Sequence, residues 1–365
     1  MKFEPHKDDF VSDEKISIPL FMLPFCETFH KTGYRAFEHF LKKNAQHDKW
    51  IIFSDYVFDD SNKPNDVAVF SIVPGPIGME LIKNGNILAQ SDLKKTRSVN
   101  PAFVECIKNS PIFTVSVIFP RPRRFCEKPE DERNILQDMV SGLQAMLKIW
   151  ETTTPESKKR YIAIGKRLNM ILQDFNNKEP KLKMMRDIFL ITPIVAFLMH
   201  EITSHINVST IGWFSDRDKL LDYQRNPALD ADTASPAGSS APAMSPGNSK
   251  VLNAKNSPLI HELINIYFHI FSNREPIIGN PKICFGLPKN EDDSKKMWYD
   301  NLIRIADYIC GTLADCNLEN ATSSADKFDC LMKTLLANNE YIQVFQCEFL
   351  YSPAVKRLGI NLKWE

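Results

Sequence analysis

In the run WIIFSDYVF, residues 50–58, the two-residue period of a strand puts Asp55 on the same face as Ile51 and Phe53. A carboxylate among apolar side chains is costly, or takes up a proton, unless a cation or hydrogen-bond donors lie beside it. Asp55 therefore calls for a metal, a cation or a donor; its other use would be to end the strand and cap a turn. A second carboxylate lies in SKKMWYDNLIRIADYICGTLAD, residues 294–315, where Trp298, Leu302, Ile305, Ile309 and Leu313 form an apolar stripe at helical spacing. Asp307 is off that stripe, yet its i−4, i+3 and i+4 neighbours are Ile303, Cys310 and Gly311, which are not a solvated set. An exposed pair with Arg304 is the alternative, and Ala306 and Gly311 would let this helix lie close to a sheet. The third acidic group is SDRD, with Asp216 and Asp218 after the run NVSTIGWF. Ligands of open α/β sheets gather beyond the carboxyl ends of strands, although a short polar turn is equally natural there. Carboxylates gathered from remote segments suit a hard divalent cation such as Mg²⁺ or Mn²⁺.

Two basic runs could hold phosphates without reading bases: Lys94, Lys95 and Arg97, and Arg121, Arg123 and Arg124. A solvated loop is the other account of each. HEITSH, residues 200–205, has one residue too many for the zinc-binding H-E-x-x-H pattern, because five residues turn the second His about 140° away from the first. His261 and His269 sit in a core-like helix and read as structural or partly exposed. VPGPIGME lacks the lysine and the spacing of a phosphate loop, and G-x-S-x-G is absent. Cys26 and His30 are four apart with nothing else to mark a nucleophile and its base.

The elements that would position these groups follow from patterning. WIIFSDYVF and VAVFSIV, joined by the turn-rich DDSNKPND, predict a hairpin. A short helix around residues 79–97, broken at Asn84 and Gly85, precedes the strand IFTVSVIF. Residues 130–202 read as three helices punctuated by Pro155, Pro180 and Pro193, the last kinking a buried helix. NVSTIGWF returns to a strand. The Ala, Ser and Pro-rich stretch at 226–256 has too few large apolar residues to offset its ordering entropy and reads as a flexible insertion. A helix, LIHELINIYFHIF, the short strand KICFGL and the helix holding Asp307 come next. Residues 1–48 read as an N-terminal extension, 49–320 as the principal domain, and 321–365 as a C-terminal helical region. Strands alternating with helices in this order predict an α/β sandwich with helices on the sheet faces.

The order of these pieces resembles a group of ribonuclease-H-like proteins of unknown function, whose opening strand bears Asp-Glu-Ser-Gly and whose closing helix bears Leu-Ala-Asp with a small residue a turn later. Here the opening is Asp55-Tyr56-Val57-Phe58-Asp59-Asp60 and the closing helix is Arg304-Ile305-Ala306-Asp307-Tyr308-Ile309-Cys310-Gly311. The resemblance spans roughly residues 50–320. It implies a mixed sheet flanked by helices, with N- and C-terminal helical additions. It also implies a metal-dependent nuclease in which Asp55, Asp216 and Asp307 hold one or two Mg²⁺ or Mn²⁺ ions for an in-line phosphodiester displacement. Asp218 and Asp92 are further ligand candidates. Two departures matter: Glu, Ser and Gly do not follow Asp55, and the middle strand, VSVIFPRPRR, has no carboxylate. Asp92 or Glu80 would have to substitute, or the chain keeps the fold only to bind nucleic acid or join an assembly.

Composition limits the partners. Lys plus Arg equals Asp plus Glu, at 45 each, so nucleic-acid binding must come from local patches. The eight cysteines show no C-x-x-C pair, and no run nears the roughly 20 apolar residues a bilayer requires. Reduced thiols, no membrane partner and a cytoplasmic location are the expectations.

Overall fold

The computed structural model describes residues 11–12, 15–16, 18–83, 93–126, 128–153, 155–177, 181–216, 219–223, 258–286, 297–349 and 354–358. The insertion expected at 226–256, Asp92 and Asp218 lie outside them. The chain is an α/β protein built on a mixed seven-stranded sheet with helices on both faces.

The expected hairpin forms from β1 (Lys49–Val57) and β2 (Asp66–Pro74), which pair antiparallel with Asp55 opposite Val69. β3 (Phe113–Phe119) continues the meander on the far side of β2. β4 (Thr210–Ser215) lies parallel on the other flank of β1, and β5 (Lys282–Phe285) lies parallel outside β4. The sheet then extends past β3 through β6 (Ile342–Glu348), parallel to it, and β7 (Ala354–Leu358), antiparallel to β6. The spatial order is β5-β4-β1-β2-β3-β6-β7. β6 and β7 correct the helical reading of residues 321–365. Among the described residues of that region, helix is confined to Asp326–Leu331 and the π-helical turn Met332–Leu336.

Strand alternation divides the core. Trp50, Ile52, Phe70, Val115, Trp213 and Phe345 face one helical layer. It consists of α1 (Met22–Thr28), α2 (Tyr34–Lys43), α5 (Pro129–Thr153), α6 (Lys158–Asp174), α7 (Leu182–His205), α8 (Lys219–Asp222) and α9 (Leu259–Ser272). α7 is buried on all sides from Asp187 to Thr203 and passes through Pro193. No helix among the described residues is long and apolar enough to cross a membrane. Ile51, Phe53, Val69, Val73, Phe214 and Val344 face the thinner second layer. That layer holds α3 (Gly75–Lys83), α4 (Pro101–Asn109), α10 (Asp300–Asp315) and α11 (Asp326–Leu331).

The N-terminal segment is part of the first layer. Phe25, Phe29 and Phe37 are fully buried, and the rings of Phe25 and Phe29 pack against Phe197 of α7 and Phe345 of β6. A polar latch accompanies them. Glu201 of α7, with its side chain 3% exposed, faces His30 Nε2 at 3.1 Å and His200 Nδ1 at 3.8 Å. His205 Nδ1 donates to the Glu201 carbonyl at 2.7 Å and its Nε2 meets the Tyr34 hydroxyl at 2.5 Å, while His200 Nε2 donates to the Glu275 carbonyl at 3.0 Å. The two histidines of HEITSH therefore meet different atoms of Glu201, His200 facing its carboxylate and His205 its carbonyl.

Candidate functional site at the carboxyl ends of the central strands

The two central parallel strands end together. In the β1/β4 pairing Phe53 lies beside Phe214 and Ser54 beside Ser215, and the Asp216 N–H continues the ladder by donating to the Ser54 carbonyl at 3.2 Å. One residue further on, Asp55 and Asp216 are neighbours. Alternation puts both on the α10 face, because Ile51, Phe53 and Phe214 belong to that core. Asp55 is half-buried and Asp216 is exposed.

α10 is seated on this face by Leu302, Ile305, Ala306, Ile309 and Leu313, all fully buried. Its small residues allow the close approach that the sequence suggests: the Cys310 thiol reaches the sheet and donates to the Val67 carbonyl at 3.4 Å. Burial first, and then the negative charges of Asp55 and Asp307, push this thiol well above its usual pKa, while Lys94 acts in the opposite sense. One buried sulfur thus senses both remote carboxylates and a cation of the 94–97 run. The Asp307 side chain is only 15% exposed, and its Oδ2 accepts from Arg304 at 2.9 Å and from the Leu93 N–H at 3.3 Å. The Arg304 pair weighed for Asp307 is thus real, but it stands at the edge of the apolar layer and not on an open helix face.

The row across the sheet that carries Asp55 runs through Val69 to Ser116 of β3. Where a third strand could offer a carboxylate, the chain has a hydroxyl, and it is buried without a hydrogen-bond partner among the described residues. Glu80 is exposed on α3. Among the described residues no three His, Cys, Asp or Glu are gathered closely enough to hold a metal ion. The donors at the strand ends are all carboxylate oxygens, the type a hard cation prefers, so their chemistry suits Mg²⁺ or Mn²⁺.

The second basic run takes a different place from the one its spacing suggests. The Arg123 side chain is fully buried, bonded to Asp66 through Nη1, to Asp59 through Nη2 at 2.9 Å and to Asp187 of α7 through Nη2 at 2.6 Å. Arg121 Nη2 holds the other Asp66 oxygen at 2.6 Å. Burial works against the charge on Arg123, but Asp187, Asp66 and Asp59 more than offset it and keep the guanidinium above its usual pKa. Arg123 locks the β1–β2 turn against α7, Arg121 closes that turn on itself through Asp66 and the Asp60 and Asn65 carbonyls, and Arg124, partly exposed, has no such pair among the described residues. Sequence spacing had no means of showing this, because the partners of Arg123 are 57 and 64 positions away. Lys94, Lys95 and Arg97, by contrast, are exposed next to Asp307.

The chain matches no family model, no curated protein and no solved structure.

Proposed function

We propose that the chain is a ribonuclease-H-like, metal-dependent nuclease, or a related phosphodiester-processing enzyme, with Asp55, Asp216 and Asp307 as its acidic centre. The observation that carries this reading is the placement of two strand ends under one helix: Asp55 and Asp216 lie one residue past the last β1/β4 pair, Ser54 with Ser215, and Asp307 lies on α10, which covers that face. The order of elements along the chain, with an acidic residue closing β1, another following β4 and a third on the later helix, supports the same reading. A bound Mg²⁺ or Mn²⁺ would supply charge neutralisation and an activated water. The chain's own residues do the remaining work. The three carboxylates would present oxygen ligands, Arg304 and the Leu93 N–H fix the orientation of Asp307, and Lys94, Lys95 and Arg97 would offer positive charge to the phosphate backbone.

The test is cleavage of DNA and RNA in Mg²⁺ or Mn²⁺. Asp307→Asn and Asp55→Asn, each nearly isosteric, should lower the rate on the order of a hundredfold or more, since even outer-shell partners of a metal site cost 10–100-fold. Equal cleavage by wild type and both variants would remove the site. Ser116 favours a second reading, in which the fold binds nucleic acid or a partner without cutting, because β3 brings a hydroxyl to the Asp55 row. Retained binding with no cleavage in any divalent metal would select it.

A further inference from the structure

Lys327, on α11, belongs to no pattern that the sequence displays. Its ammonium reaches across to the loop after the α3 segment and donates to the Leu93 carbonyl at 2.7 Å and the Thr96 carbonyl at 2.9 Å. The Phe328 ring lies beneath the same ammonium at 4.9 Å. One cation thus bridges both ends of a four-residue turn. The loop is fixed at three more points: the Leu93 N–H bonds Asp307, the Thr96 hydroxyl meets the Tyr308 hydroxyl at 3.1 Å, and the Leu93 side chain is 2% exposed. That side chain lies over Gly311, where a Cβ would come within 2.7 Å of Leu93 Cδ2.

All of these anchors hold backbone or the side chains of Leu93 and Thr96. Lys94, Lys95 and Arg97 are left exposed. The anchored turn thus presents Lys95 and Arg97 to solvent side by side, and a polyanion passing over them would be drawn to both. We propose that Lys327 is a positioning residue that holds the 93–97 loop as a platform for the sugar-phosphate backbone of a nucleic acid entering the acidic centre. This inference rests on the phosphodiester reading of that centre. It also joins α11 to the site, since Lys327 of that helix holds the loop that carries the cations. The recognised chemistry is the repeated phosphate of a strand, read by charge and not by base.

Fluorescence-anisotropy binding of labelled DNA and RNA oligonucleotides, in EDTA so that cleavage does not enter, tests this between 50 and 300 mM salt. Each phosphate contact contributes about 0.9 to the slope of log K against log salt on duplex and about 0.7 on a single strand. Lys95→Ala and Arg97→Ala should each lower the slope by about that amount, equivalent to about fivefold in affinity per contact at 0.15 M salt. Lys327→Met should lower it by more than one contact, although Lys327 spends its own charge on two carbonyls, and Lys327→Arg should recover most of the loss. Gly311→Ala displaces Leu93 independently and should weaken binding in the same direction; it keeps the test open if Lys327→Met does not fold. With wild-type cleavage established, Lys327→Met should raise KM with little change in kcat. A slope change of one contact or less in Lys327→Met, or wild-type binding by the loop variants, overturns the platform. Full binding with the expected slopes but no cleavage in any divalent metal leaves the platform standing and removes the nuclease reading, whereas no binding by wild type overturns both.

Discussion

Arg123→Met should destabilise the protein by about 3–5 kcal/mol at neutral pH, the usual cost of breaking a buried ion pair from one side. The reason is specific to where the guanidinium sits. Asp66 keeps Arg121 on its other oxygen, and Asp59 is partly exposed and keeps Lys183 at 3.0 Å. Asp187 has neither advantage. Its side chain is 8% exposed and its charge is met by Arg123 at 2.6 Å; burial already pushes its carboxyl above the usual range, with Arg123 and, to a smaller degree, the charge of Arg186 pulling the other way. Removing Arg123 strands that carboxylate, so the loss should shrink as the pH falls and Asp187 takes up a proton. The double variant Arg123→Met/Asp187→Leu should recover much of the stability, because two apolar side chains of similar volume often replace a buried pair at little net cost. Urea titrations of the wild type, the single variant and the double variant decide this. A single variant within about 1 kcal/mol of wild type would mean that the network carries little of the turn's stability.

The second large effect concerns Glu201. Burial would raise its pKa, but the close approach of His200 and His30, with His30 Nε2 at 3.1 Å, and their charges bring it down to about 2. A group depressed from an ordinary 4.5 to about 2 contributes about 3 kcal/mol, fully present above pH 4.5 and lost as the pH falls through about 2. Glu201→Gln should therefore be less stable than wild type at pH 5, and the difference should close between pH 4.5 and 2. Because the two proteins share every other titrating group, the difference isolates the latch. A gap that stays constant across that interval would show that Glu201 holds the N-terminal segment by shape and not by charge.

Much of the sheet could be read from the sequence because its strands advertise themselves. WIIFSDYVF and VAVFSIV are rich in β-branched and aromatic residues, and the turn residues between them leave little else to form. Asp55 and Asp307 were legible for the complementary reason: each is a charge where the period predicts an apolar or shielded position. β6 was hidden because Gln343 and Gln346 interrupt its alternation, and the fully buried Gln343 makes sense only under α2 and the N-terminal turn. β7, with Ala354, Lys356 and Arg357 exposed, has the polar face of an edge strand and no apolar signal to detect. Arg121 and Arg123 misled because PRPRR looks like a loop made to meet phosphates. What turns Arg123 inward, and holds Arg121 to the turn, is a set of aspartates whose nearness belongs to the tertiary structure alone.

The hydrogen bonds between the two ends of the described chain bear on how it must be made. The Thr28 hydroxyl donates to the Val355 carbonyl at 2.8 Å, 327 positions away, and Arg357 donates to the Thr32 carbonyl at 2.7 Å. α1 and α2 leave the ribosome well before β6 and β7, on which Phe25, Phe29 and these hydrogen bonds close. While the intervening chain is made those contacts are missing, so the nascent polypeptide is a natural client for chaperones, and fast elongation gives it no advantage.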